Sequence, residues 1–344
     1  MDRRLATVAL TVCALVVIGL EPALAQTGRS TVPRTADGRP DLQGVWDFRT
    51  LTPLQRPADQ GENAVLSAEE VAEIEARAAQ SVIDADRPSE VRTEPLPVGA
   101  AVGGYNNFWF DRGAGVVDDN RTSLIVSPQT GRVPQLQPGL DMVELSLGED
   151  IAGTRPVRVR AAGIGADSWE DRGLAERCLL GFNSGPPVVP AGYNQNLQIF
   201  QTPDHVVILH EMVHDSRIVP LDGRPHLPGH VRQWMGDSRG YWDGDTLVVE
   251  SKNYTGKTSS FSPSVTTAAG DGTTLNLTER FTRVADDTML YEFTVDDSAT
   301  FTAPITAQIP MKRGEPMFEY ACHEGNYGLP NILAGARQAE NASR

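Results

Sequence analysis

Three cysteines and six histidines are all that 344 residues supply of the usual metal- and redox-bearing side chains. No paired Cys-x-x-Cys occurs, and no glycine-rich phosphate loop, dinucleotide fingerprint or Gly-x-Ser-x-Gly elbow. Those absences argue against thiol redox chemistry, nucleotide binding and the α/β-hydrolase mechanism, and no motif calls for a redox cofactor. After residue 25 no run is apolar enough to span a bilayer. Positive charge is scarce: 30 Lys and Arg stand against 45 Asp and Glu, a net charge of −15. Such a chain is a poor partner for nucleic acid or for an anionic membrane surface, which leaves small molecules as the expected ligands. No internal repeat or low-complexity tract is present, and nothing in the sequence fixes an oligomeric state.

The N-terminus reads as a signal peptide over residues 1–25. Asp2, Arg3 and Arg4 form a charged head, residues 5–20 are apolar, and Ala23-Leu24-Ala25 gives a small-x-small cleavage pattern ahead of Gln26. Arg3-Arg4 also admits twin-arginine export. The expected location is periplasmic or secreted. Cys13 leaves with the signal, so Cys178 and Cys322 remain and most simply pair in an oxidising compartment. His323 follows Cys322, which admits a nucleophilic cysteine, but neighbouring residues seldom face each other.

Residues 26–100 read as an extended N-terminal arm carrying one short strand at Gly44-Val45-Trp46-Asp47-Phe48 and one amphipathic helix. Ser67-Ala68-Glu69-Glu70 is a capping box, and Val71, Ile74, Ala78 and Val82 follow at helical spacing, predicting a helix over 68–83. A charged, proline-containing linker follows over 84–97. Residues 101–344 read as a β-rich domain. Strands are expected at 107–110, 122–126, 197–201, 206–212, 217–221, 246–251, 273–283, 289–295 and 305–310. Asp222-Gly223, Asp243-Gly244 and Asp286-Asp287 punctuate them as turns. Helices are expected at 169–180 and at the C-terminus, 331–340. The fold class is mainly β, an antiparallel barrel-like sheet or a sandwich. Gly44-x-Trp46 resembles the Gly-x-Trp of lipocalins, whose tryptophan plugs one end of a ligand-binding barrel; an ordinary buried tryptophan fits equally.

Five of the six histidines lie between 205 and 230. His210-Glu211-Met212-Val213-His214 matches the zinc-protease pattern, which needs a helix to bring both histidines to one ion. The β-branched flanks argue for a strand instead, on which His210 and His214 stand about 13 Å apart, each residue advancing about 3.3 Å. Strand alternation puts Glu211, Asp215 and Arg217 on one face with His205, and His210, Met212 and His214 on the other. Polar groups on both faces imply either a polar cavity or a bend near Val213. The catalytic candidates are Glu211 or Asp215 as general base, His214 as acid or proton shuttle, and Arg217 to hold a substrate oxygen. The structural counterpart is a buried Glu211–Arg217 or Asp215–Arg217 ion pair. Ligand-binding candidates are His226, Trp234, Tyr241, Trp242, His323, Asn326 and Tyr327, with Trp109 and Tyr105 as further stacking surfaces for a sugar or an aromatic ring. A metal site, if any, would use zinc on His210 and His214, with His205, His226, His230 and His323 as further possible ligands.

Several segments taken together, Pro40-Asp41-Leu42-Gln43-Gly44-Val45-Trp46, Arg177-Cys178-Leu179-Leu180-Gly181-Phe182, Glu211-Met212-Val213-His214-Asp215, Pro220-Leu221-Asp222-Gly223-Arg224-Pro225-His226, Gly236-Asp237-Ser238-Arg239-Gly240 and Glu319-Tyr320-Ala321-Cys322-His323-Glu324-Gly325-Asn326-Tyr327, resemble a group of exported bacterial β-rich proteins without an assigned activity. The resemblance brings no reaction with it. It implies that Glu-x-x-His-Asp matters more than His210, which favours Glu211, His214 and Asp215 over zinc. The leading expectation is an exported small-molecule enzyme of acid–base type, a lyase, isomerase or hydrolase. The alternatives are a periplasmic lipocalin-like carrier and a metal-dependent hydrolase.

Overall fold

The computed structural model describes residues 32–88, 93–94, 107–144 and 165–344. The expected signal segment, half of the expected linker and Tyr105 lie outside the described residues. Residues 32–344 make one compact unit.

Thirteen strands are present among the described residues. In chain order they are β1 Gly44–Asp47, β2 Ile125–Ser127, β3 Val143–Glu144, β4 Asn196–Gln201, β5 His205–His210, β6 Ser216–Pro220, β7 Asp237–Asp243, β8 Thr246–Lys252, β9 Phe261–Ser264, β10 Thr267–Ala269, β11 Asn276–Arg283, β12 Thr288–Asp296 and β13 Ile305–Arg313. Nine of them form a nearly closed antiparallel barrel in the order β6-β5-β4-β1-β13-β12-β11-β8-β7, with β2 pairing β13 outside this path. A small separate sheet runs β3-β10-β9. β1 comes from the N-terminal arm yet is a barrel strand, paired to β4 and β13. Period-two alternation produces the core. Leu277, Glu279 and Phe281 of β11, Met289, Tyr291, Phe293 and Val295 of β12, and Ile305, Ala307, Ile309 and Met311 of β13 are buried, and the residues alternating with them are more exposed. Each fully buried apolar side chain of this kind stabilises by about 1.5–3 kcal/mol relative to exposure.

Nine strands linked by antiparallel pairings leave the two edge strands, β6 and β7, running the same way. They come together where Gly240 sits, since a Cβ there would lie 2.7 Å from the Leu221 side chain and 2.8 Å from that of Val219. No backbone ladder joins them. Pro220, with no N–H to give, suits an edge strand.

One end of the barrel is sealed around Trp46. Its indole N–H donates to the Leu42 carbonyl at 2.8 Å, and the residue is fully buried. The Arg313 guanidinium lies 4.3 Å from the ring centroid and that of Arg283 5.7 Å. Gly44 makes this possible. It has φ of 110°, and the space a side chain would need there is filled by Arg313, which donates to the Gln43 carbonyl at 2.6 Å. The glycine two residues before the tryptophan thus admits the cation that covers it.

The two α-helices among the described residues are α1, Ala68–Ala85, and α2, Gly328–Ala342. The Ser67 hydroxyl accepts from the Glu70 N–H at 3.2 Å, and the Glu70 carboxylate accepts from the Ser67 N–H at 2.7 Å, as the capping box requires. α1 runs two residues beyond the expected end.

Two expected elements differ. The strand at 107–110 is a 3-10 turn, Asn107–Trp109. The helix at 169–180 is limited to a 3-10 turn, Trp169–Asp171: Arg172 turns to extended backbone, and Cys178 takes φ of 54°, which no right-handed helix allows. β7 was not expected, because Asp237-Ser-Arg-Gly-Tyr-Trp-Asp lacks the β-branched run that marks its neighbours.

Candidate functional site

The segment 211–215 is neither helix nor strand. β5 stops at His210, a 3-10 turn spans Met212–His214, and β6 begins at Ser216. Val213 and His214 both have positive φ, 67° and 47°. The His210 N–H closes the turn on the Asp215 carbonyl at 3.0 Å. The bend expected near Val213 is therefore a full chain reversal, and the face assignment by strand alternation fails for residues 211–215. A β-branched residue at positive φ is costly, and surrounding contacts hold it: Met212 and Val213 pack in a small cluster with Cys178, Phe182, Tyr193, Tyr320 and Cys322.

Two members of that cluster are joined by a disulfide. Cys178 and Cys322 are bonded, with Cα atoms 5.9 Å apart. The nucleophilic reading of Cys322 is thereby removed, since its sulfur is committed. Asn326 donates to the Glu176 carbonyl at 2.8 Å and accepts from the Leu329 N–H at 3.3 Å, so it fastens this segment and caps the start of α2. His323 and Tyr327 point into solvent. The two polar concentrations seen in the sequence, 211–217 and 319–328, thus meet. His214 Nδ1 lies 2.7 Å from the Tyr320 carbonyl. A carbonyl only accepts, so Nδ1 carries a proton, and Nε2 has no partner among the described residues.

Beside this junction is a cavity of about 420 Å³ lined by Phe108, Trp109, Tyr193, Glu211, Phe318 and Tyr320. Three of its aromatic walls are strongly exposed: Phe108 at 83%, Trp109 at 61% and Phe318 at 89%. Glu211 is held at one oxygen. Its Oε2 accepts from the Asn196 backbone N–H at 3.1 Å and from the Asn196 side-chain amide at 2.9 Å. Glu211 N–H returns a bond to the Asn196 carbonyl at 3.0 Å. Oε1 has no partner among the described residues. Asp111 and Glu319 add carboxylates to the same wall; Asp111 is paired with Arg49.

Arg217 lies elsewhere. Its guanidinium is buried and bonds Glu279 through both terminal nitrogens, at 2.5 and 2.9 Å. Glu279 also accepts from the Tyr291 hydroxyl at 2.8 Å, which in turn accepts from the Val188 N–H at 3.1 Å. Burial alone would lower the Arg217 pKa; the charge and hydrogen bonds of Glu279 more than offset it and raise it. Neither expected ion pair forms: Arg217 is buried in a pair with Glu279 of β11, not with Glu211 or Asp215.

A second cavity, about 550 Å³, opens along the β6–β7 seam. Asp215, Arg217, Arg232, Trp234, Met235 and Asp237 line it. Burial raises the Asp215 carboxyl above its ordinary value, against a hydrogen bond from the Ser216 N–H and the nearby His214. The four catalytic candidates are thus divided. Glu211 faces the aromatic cavity, His214 lies on the adjoining turn, and Asp215 and Arg217 face the seam.

Among the ligand-binding candidates, Trp234 lines the seam. Trp242 packs on the core under Arg39, 5.6 Å from the ring centroid, and Tyr241 faces out. His226 bonds Asp237 at 2.8 Å and orders the loop ahead of β7. Phe108, Phe318 and Asn196 were not singled out from the sequence; nothing in an isolated aromatic or a strand-start asparagine marks it. No group of three or more His, Cys, Asp or Glu side chains is arranged to hold a metal ion among the described residues. His210 is buried at the end of β5, while His214 is exposed on the turn.

Among the described residues no helix is long and apolar enough to cross a membrane. No protein family, curated protein or solved structure matches the chain. The class that can be stated is a mainly β protein with a nearly closed antiparallel barrel and a disulfide-fastened C-terminal segment.

Proposed function

We propose that this is an exported enzyme acting on a small molecule by acid–base chemistry in the aromatic cavity, with Glu211 as general base and His214 as the second proton-handling group. The observation that carries the reading is the asymmetry of the Glu211 carboxylate. One oxygen is fixed by two hydrogen bonds from Asn196, and the other is unbonded beside a cavity walled by aromatic rings. A base must be held in one orientation with an oxygen free for the proton, and this arrangement meets both needs. His214 belongs to the same turn, with Nε2 open. The aromatic walls suit a substrate with an aromatic ring or a sugar face. The reaction class is lyase, isomerase or hydrolase.

A second reading is a carrier that binds without turnover. It is favoured by the separation of Arg217 and Asp215 from Glu211, which leaves the aromatic cavity without a cation to stabilise developing negative charge.

Incubating the purified mature protein with an aqueous small-molecule extract, followed by mass spectrometry, distinguishes the two. The enzyme reading expects one compound to fall and another to rise, with His214→Ala slowing the change. Stoichiometric retention of one compound with no product is the carrier's outcome, and would overturn the enzyme.

A further inference from the structure

The seam cavity has its own chemistry, independent of the aromatic cavity. Four charged residues line it: Asp215, Arg217, Arg232 and Asp237. Two are already neutralised. Arg217 is paired with Glu279, and Asp237 with Arg239 at 2.7 Å and with His226. The other two have no ion-pair partner among the described residues. The Asp215 carboxylate accepts only the Ser216 N–H, at 3.0 Å. Arg232 donates to two backbone carbonyls, of Tyr254 at 3.0 Å and Thr273 at 3.3 Å. One further donor is unsatisfied: Nε of Arg217, a residue 4% exposed, has no hydrogen-bond partner although it is buried.

We infer that the β6–β7 seam is a binding site for a free α-amino acid with an apolar side chain. One unpaired carboxylate and one unpaired guanidinium call for a ligand carrying one cation and one anion. The ammonium group would bond Asp215. The carboxylate would accept from Arg232. The apolar side chain would lie on Trp234 and Met235, which supply the cavity's apolar wall. A cavity of about 550 Å³ holds such a molecule with bridging water. The seam is open because its two strands run parallel without a ladder, so a ligand enters sideways.

The test is calorimetric titration of the mature protein with L-leucine and L-phenylalanine, using N-acetyl-L-leucine and L-leucinamide as controls that delete one charge each. Saturable binding of one molecule per chain is expected, weakened by about tenfold or more in each control. Arg232→Gln and Trp234→Ala should weaken binding while leaving the circular dichroism spectrum and unfolding midpoint in place. Glu211→Gln should bind as the parent does. Absence of saturation up to about 10 mM, equal binding of the acetylated compound, or loss of binding in Glu211→Gln would each overturn the assignment.

Discussion

At one end of the barrel the β4–β5, β7–β8 and β11–β12 connections are short hairpins, and Trp46 is sealed under Arg313 and Arg283. At the other end β5 reverses into β6 through the strained turn at 211–215, and the connections from β8 to β11 and into β4 are long. Both cavities discussed above lie at this second end. The same residue types serve both ends. Arginine covers a ring at the first, where its charge stacks on indole and bonds a carbonyl. At the second it lines a cavity with an N–H unspent. A hairpin satisfies its own backbone and leaves nothing for a ligand. A long connection must be fastened from elsewhere, here by Asn196, Tyr320 and the disulfide, and Tyr320 also lines the aromatic cavity.

The largest effect expected on that contrast is loss of the disulfide. Its closed loop spans 144 residues, and the chain-entropy account gives about 5 kcal/mol. Cys178→Ser with Cys322→Ser should lower the urea midpoint. It should also abolish whatever the aromatic cavity binds, because Tyr320 is no longer held against His214. Retained binding in the double variant would separate the disulfide from the site.

Next comes the buried ion pair. Glu279→Ala leaves Arg217 charged and uncompensated in the core, a cost of about 3–5 kcal/mol. Replacing both, Arg217→Met with Glu279→Leu, should restore most of that loss in equilibrium unfolding. If the double variant is as unstable as the single, the pair does more than neutralise itself, and Tyr291 and Val188 become the groups to examine.

The smallest effect is the pH dependence of Asp215. Its folded pKa is raised by burial, so its contribution favours the folded state below the unfolded carboxylate range and is lost as pH rises through the folded value. Asp215→Asn should therefore stabilise the protein at neutral pH, with the gain vanishing on acidification through that window. The group is about half exposed to solvent, so the gain is small. A gain constant with pH would mean that the carboxyl is not perturbed.

Much of this architecture is legible before folding. The capping box at Ser67, the alternation of β11 to β13 and the pairing of Cys178 with Cys322 each follow from local chemistry. The turn at 211–215 was legible only as one alternative, a bend near Val213 implied by polar groups on both faces; the β-branch of Val213 signals a strand, and the packing of Cys178, Phe182 and Tyr193 around it overrides that preference. Arg217 announced an ion pair, but its partner is 62 residues away across the barrel, and no spacing rule reaches that far. The site residues 211 and 320 were each visible as polar clusters; their meeting depends on the disulfide.

The most direct test is to measure turnover and the urea unfolding midpoint together for Glu211→Gln. The account predicts an unchanged midpoint, within about 0.5 kcal/mol, because Asn196 still finds an acceptor, and turnover lost. A protein that unfolds more readily while its remaining folded fraction works as before would contradict it, and would make Glu211 a fastener of the β5–β6 turn and not its chemistry.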